Sequence, residues 1–344
     1  MSLRTGRGDW TTDGVFEEAP GVYRIPLPLP SDGLRAVNVY VLEASGGPVL
    51  IDSGWAIAEA RERLVRGLRH LGVELADVRH FLVTHAHRDH FEQAITLRRE
   101  FGTTVSLGAG EREALEVLQI HERHPFEPQL QLLAEMGAGA VAEEITKVVA
   151  PIGTASRENW QFPDVWLDGG TVSVHEGREL AVIPTPGHTV GHVVFHDWEH
   201  ALLFAGDHVL PSITPSVGFQ PVLSPTALGD FLESLARVRR LPDALLLPAH
   251  GPVAPSVHAR VDELLEHHDV RLQHVVDAVN AGAETGFDVT TFLRWTRRER
   301  RLDELDPFNQ LLAVTETAAH LDLLVAQARL RVTTEGGVHR YEAN

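Results

Sequence analysis

Apolar positions recur along this chain with two periods, one near two residues and one near 3.6, and they switch repeatedly. Residues 36–42 (AVNVYVL) and 48–52 (PVLID) read as two strands, and Gly46-Gly47 between them supplies the positive φ angles of a tight hairpin. Ile57 to Leu71 then carries apolar residues at helical spacing. Another strand is predicted over 78–84, followed by a helix from about Phe91. Residues 111–150 are mostly helical in pattern, with His124-Pro125 and Pro128 as interruptions. Strand patterns return at 171–175, 179–183, 192–195 and 201–204, then a helix at 231–238 and a short buried strand at 244–247. Strands alternating with helices predict a layered α/β body.

Residues 210–225 hold four prolines and little charge, which predicts an ordered loop. The composition shifts around Pro252 to Ser256. Beyond it, 257–281 and 307–330 read as helices, and 330–341 as a hairpin turning at Gly336-Gly337. Two domains are expected: an α/β catalytic body over 1–255 and a mainly helical part over 256–344.

Composition narrows the chemistry. The 344 residues carry 30 Lys plus Arg against 48 Asp plus Glu, a formal charge of −18. That balance disfavours a long nucleic-acid surface, because phosphate binding draws on Lys and Arg. Cysteine is absent, which removes disulfides, thiol nucleophiles and Cys-ligated metal sites. The first ten residues show no apolar signal-peptide core and no later run reaches transmembrane length, so a soluble cytoplasmic protein without a membrane partner is expected.

Histidine is where the chain concentrates its chemistry. His85-Ala86-His87-Arg88-Asp89-His90 places four potential metal ligands within six residues, directly after an apolar strand. In an α/β sheet the carboxyl ends of strands hold the sites. Residues two apart in an extended segment project the same way, so His85 and His87 can converge on one ion. Three further apolar runs end in the same manner, at His188, Asp207 and His250, each flanked by small or turn-forming residues. Imidazole and carboxylate donors suit zinc first, with iron or manganese as the other metals for this set.

These stretches, THAHRDH at 84–90, TPGHTVGH at 185–192, AGDHV at 205–209 and PAHG at 248–251, closely resemble the metallo-β-lactamase-fold hydrolases. The resemblance implies a four-layer αβ/βα sandwich with a dinuclear metal site at the sheet edges. It assigns His85, His87 and His188 to one ion and Asp89, His90 and His250 to the other, with Asp207 bridging. Asp52, in LIDSG, matches an early aspartate of structural type, and His192 would stand behind the ligands. Many members have two glycines where this chain has Phe91-Glu92, so either these side chains narrow the pocket or the local backbone differs. Residues 308–331 and the hairpin after them resemble the winged-helix-like appendage of one branch.

Two cations sharing a water would make hydroxide available near neutral pH. Asp89 is placed to orient that nucleophile or shuttle its proton. No Gly-x-Ser-x-Gly elbow is present. The reading is hydrolysis of an ester, thioester or lactone of a small acyl substrate, with Trp55 and Phe219 as pocket walls. Phosphodiester or RNA cleavage, amide or β-lactam hydrolysis, and a non-catalytic interaction module are the alternatives, and assembly into a homo-oligomer is compatible with any of them. His208 is expected to point away from the site, His121 and His124 to lie on a solvated helix face, and Arg297 to Arg301 to form a charged helix end.

Overall fold

The computed structural model describes residues 9–30, 33–120, 126–149, 157–175 and 177–344. One sheet is built in chain order from β1 (Phe16–Ala19), β2 (Val22–Pro28), β3 (Ala36–Leu42), β4 (Val49–Ile51), β5 (His80–Val83), β6 (Thr104–Gly108) and β7 (Val165–Leu167). Pairing is antiparallel up to β4 and parallel from β4 to β7. Parallel neighbours need a crossover. It is supplied by α1 (Ala58–His70), α2 (Arg88–Phe101), and the set α3 (Arg112–Gln119), α4 (Glu127–Glu135) and α5 (Gly139–Val149).

The second sheet runs in the order β12 (Leu245–Pro248), β11 (Leu202–Gly206), β10 (Val193–Asp197), β9 (Arg178–Pro184), β8 (Thr171–His175). Its parallel pair, β11 and β12, is joined through α6 (Ala227–Arg239). The chain closes with α7 (Val257–Asn280), α8 (Gly286–Phe292), α9 (Pro307–Ala326) and the hairpin β13 (Leu330–Glu335) and β14 (Val338–Ala343).

Three apolar cores separate the layers. Ile25, Val39, Leu50 and Phe81 pack the outer face of the first sheet against Leu64, Leu68 and Ile95 of α1 and α2. Tyr40, Ile51 and Leu82 meet Phe195, Phe204 and Leu247 between the sheets, with Tyr40 edge-on to Phe204 at 5.4 Å. Leu203 and Leu246 face Leu228, Phe231 and Leu235 of α6, and the same cluster continues through α4, α5, α7 and α9. The result is the expected αβ/βα sandwich, with a small, mostly helical C-terminal region.

Several boundaries differ from the expectation, each for a local reason. α2 begins at Arg88 instead of Phe91, so Asp89 and His90 lie in its first turn. Pro128 starts α4 instead of interrupting a helix, as its missing N–H allows in a first turn. β2 lies in a stretch whose Pro26 and Pro28 argue against a strand. Asn38 N–H, opposite Pro26, donates to Ala249 O and not to β2, so Pro26 occupies a position where no N–H is required. Arg297–Arg301 falls in a tight turn closed between Trp295 and Arg300, not at a helix end. His121 and His124 lie outside the described residues.

Both sheets deliver their strand ends to one edge. Asn38 binds them there: its buried Nδ2 donates to Pro248 O and Gly251 O, both at 2.9 Å, while Tyr40 Oη donates to Pro248 O at 2.8 Å.

Candidate metal centre

At that edge, four turns bring histidine and aspartate together. His85 and His87 follow β5, and Asp89 and His90 continue into α2. His188 sits in the turn between β9 and β10, closed by Thr185 N–H to His192 O at 2.8 Å. Asp207 follows β11 and His250 follows β12. Two groups result, His85/His87/His188/Asp207 and Asp89/His90/His250, each with its ligand atoms within 4.8 Å of one another.

The first group converges ring nitrogen on ring nitrogen. His87 Nδ1 lies 2.9 Å from His85 Nε2 and 3.1 Å from His188 Nε2. His188 Nδ1 faces the carbonyl of Ser216 at 2.7 Å, so it carries the proton and leaves Nε2 a lone pair. The Thr84 hydroxyl donates to Asp52 and accepts from His85 Nδ1 at 3.0 Å, which fixes the same tautomer on His85. Burial holds His85 well below the ordinary histidine pKa, and it lowers His87 to about 3 and His188 to about 4. Neutral imidazoles of this kind are ready to ligate.

The second group is built of opposite charges. His250 Nε2 stands 3.3 Å from Asp89 and 3.4 Å from Asp207 Oδ1, while its Nδ1 donates to Ala36 O at 2.8 Å. His90 Nε2 lies 3.5 Å from Asp89 and 3.7 Å from Asp207 Oδ1, and its Nδ1 donates to Asp52 at 2.9 Å. Burial opposes charge on both rings, but Asp207 and Asp89 outweigh it and raise His250 to about 9. Asp89, Asp52 and Asp207 push His90 well above its usual value. Burial would raise Asp89, yet His90 and His250 hold it well below the carboxylate range. Asp207 spans both groups, with Oδ2 3.5 Å from His188 Nε2 and Oδ1 toward His90 and His250.

This donor set fits divalent cations. His90 Nε2, His250 Nε2 and Asp207 Oδ1 are buried without a hydrogen-bond partner, and they face one space. Buried polar atoms are rarely left so. Three imidazole nitrogens within about 3 Å cannot be satisfied by sharing protons, whereas one cation satisfies all three.

The surrounding residues hold these ligands from behind. Asp52 takes a φ of 59°, a left-handed conformation that aspartate tolerates. Its Oδ1 accepts from Thr84 N at 2.8 Å and its Oδ2 from His90, tying the end of β5 to α2. Both ring nitrogens of His192 are engaged, Nδ1 with Thr185 Oγ1 at 2.8 Å and Nε2 accepting the Asp207 N–H at 3.1 Å. His192 therefore positions Asp207 and has no nitrogen left for an ion. His208 is buried against Phe231, away from both groups.

The pocket candidates divide. Phe219 stands 6.5 Å from His87, ring centre to ring centre. Trp55 is half-buried and faces the Arg88 guanidinium at 5.7 Å. Phe91, by contrast, is fully buried in the core and stacks on Trp160, and Glu92 is buried 3.7 Å from Arg88. Both side chains are thus buried, and neither lines an open pocket.

Two contributors escape sequence reasoning, Asn38 and Glu111. The Glu111 carboxylate is buried, accepts from Thr189 Oγ1 and lies against the backbone of Ala86 and Gly191. One side chain thus clasps the turn bearing His85 and His87 to the turn bearing His188. Burial pushes its pKa up to about 7. The run Gly108-Ala109-Gly110-Glu111, small residues ending at a carboxylate, is the sequence feature through which Glu111 could have been found.

Comparison with known proteins agrees with this geometry. The probable metallo-hydrolase YqjP of Bacillus subtilis is 23% identical over 330 residues, 91% of this chain and 94% of that protein. A metallo-beta-lactamase family protein from Thermus thermophilus superposes with a TM-score of 0.72 at 27% identity, covering 95% of this chain and 99% of that one. A beta-lactamase domain protein from Burkholderia ambifaria gives 0.78 at 27% identity, covering 96% and 94%. At such coverage the likeness runs on through the C-terminal helices. The family model for the metallo-beta-lactamase superfamily matches residues 32–250, the stretch holding every residue of both groups. With two clusters able to hold a dinuclear centre on this sandwich, the chain is a metal-dependent hydrolase and belongs to the metallo-beta-lactamase superfamily.

Proposed function

We propose that the protein hydrolyses a small acyl ester, thioester or lactone. His85, His87 and His188 would hold one cation, Asp89, His90 and His250 the other, and Asp207 stands between the two sets. Zinc is the metal we infer, since neutral imidazoles dominate the first set. When bound, the two cations supply an acidified water and an electrophile for the acyl oxygen. Asp89, beside His90 and His250, would take a proton from the attacking water and return it to the leaving group. Asp52, Thr84 and His192 keep the ligands in one tautomer and orientation.

The observation that carries the acyl reading is Phe219, an aromatic wall 6.5 Å from His87, in a loop of low charge on a chain of net charge −18. Repeated phosphates would meet that negative field, whereas a single acyl group does not. We also infer that the chain divides into a catalytic part, 1–255, and a winged-helix-like part, 256–344. This is supported by the family match ending at residue 250 and by helices followed by a hairpin.

A panel on metal-replete enzyme tests the reading: lactones, acyl thioesters, aryl esters, a β-lactam and bis-aryl phosphodiesters. Acyl turnover is expected, and Asp89→Asn and His188→Ala should each lower it by at least about 100-fold. Phosphodiester turnover exceeding every acyl substrate, with the same mutant dependence, would overturn it.

A further inference from the structure

The loop over 210–225 is held from three sides near the metal centre. Ser216 O accepts from His188 Nδ1 at 2.7 Å. Gln220 O accepts from Gln129 of α4 at 2.6 Å, and Gln220 Oε1 accepts the Val190 N–H at 3.0 Å. Gly218, at φ 89°, lies so close to α9 that a Cβ there would sit 3.0 Å from Thr315 O. Phe219 stands between these anchors.

Phe219 is also the centre of an aromatic row. His87 lies 6.5 Å away on one side, with Phe126 at the start of α4 at 5.8 Å and Phe308 in the first turn of α9 at 5.6 Å. None of the three phenylalanines is fully buried, and Phe308 is 37% exposed. Large apolar side chains left partly open in a row that begins at a ligand-bearing ring are what an apolar substrate group would cover.

We propose that Phe219, Phe126 and Phe308 form the subsite for the acyl or aryl portion of the substrate, and that Phe308 sets how long a group is accepted. This rests on the acyl-hydrolase reading. Phe308 lies outside residues 32–250, so the limit on substrate length comes from a helix beyond the family-matched core. The occupant is an uncharged linear chain or single ring. Van der Waals contact along three aromatic faces favours it and discriminates only modestly per methylene.

The test compares full-length, zinc-loaded wild type with Phe308→Ala and Phe308→Arg. Two readouts are taken: hydrolysis of p-nitrophenyl acetate, butyrate and octanoate, and calorimetric binding of acetate, octanoate and 3-phenylpropionate. Zinc content and melting temperature report whether each variant is folded. In wild type, kcat/KM should rise from acetyl to octanoyl, chiefly through KM, and octanoate should bind tighter than acetate. Phe308→Ala should cut the octanoyl-to-acetyl ratio about 10-fold, and Phe308→Arg more. An unchanged ratio in folded variants overturns the subsite. If no ester turns over here and no thioester or lactone does in the panel above, the acyl-hydrolase reading fails, and the carboxylates still decide this point. Octanoate binding lost in Phe308→Ala supports an apolar subsite, and octanoate binding no tighter than acetate removes it.

Discussion

Glu111 ligates nothing in this geometry, yet it touches both turns that carry the first histidine set. Its carboxylate accepts from Thr189 Oγ1 and lies against the backbone of Ala86 and Gly191. A glutamine there keeps one acceptor oxygen and sets an NH2 group against the same buried surroundings, so a buried polar group loses its partner. Such a loss costs about 1–3 kcal/mol. Groups that orient metal ligands typically change affinity by about 10–100-fold when removed. We therefore expect Glu111→Gln to weaken one of two bound metals by that factor while the other stays near wild type, as read by competition with a chromophoric chelator. A merely structural glutamate would lower the melting temperature of the metal-free protein and leave both affinities alone, and that outcome would refute the clasp.

At the scale of elements, what the glycines permit is backbone contact between turns. A Cβ on Gly191 would stand 2.2 Å from Glu111 N and 2.6 Å from Gly110 C, and one on Gly108 would stand 1.9 Å from Gly191 O. Backbone cannot retreat as a side-chain tip can. Gly191→Ala should therefore destabilise by at least the roughly 1–3 kcal/mol of an overpacked core and pull His188 away from His85 and His87. Gly139→Ala, in α5 with nothing within 4 Å, should be neutral or slightly stabilising. Thermal melts with and without zinc measure both, and equal melting temperatures for the two variants would contradict the argument. The same contacts explain what the chain discloses in advance. His85, His87, Asp89 and His90 are legible because they are adjacent, and His188, Asp207 and His250 because each ends an apolar run. Asn38 and Glu111 are not, since their partners lie far along the chain: Pro248 and Gly251 for the first, Ala86, Thr189 and Gly191 for the second. β2 is masked by its prolines. Phe308 reads simply as part of a helix until its distance to Phe219 is known.

For the whole molecule, the decisive feature is that one apolar core crosses residue 255. Leu228, Phe231 and Leu235 of α6 belong to the same buried cluster as Val261 and Leu264 of α7 and Leu311, Val314, Leu321 and Leu324 of α9. α4 and α5, inserted between β6 and β7, contribute Leu133, Val141 and Ile145 to it as well. The 256–344 segment thus packs on the outer helical layer of the sandwich, and its α9 presses on the loop that holds His188 and Phe219. A division drawn at residue 255 need not be a division in folding. Cutting there would bare the inner face of α6 together with the apolar faces of α4 and α5, a continuous patch of the kind soluble monomers rarely expose. The full chain should accordingly unfold in one transition, seen alike by far-UV and near-UV circular dichroism. The fragment 1–255 should aggregate or bind a hydrophobic dye strongly, and it should fail to retain two metals because the loop carrying Ser216 loses the support of α9 at Gly218 and Phe219. A fragment that stays monomeric, keeps its near-UV signal and binds both metals would show instead that the catalytic layers stand alone, and that α9 serves only to complete the substrate wall.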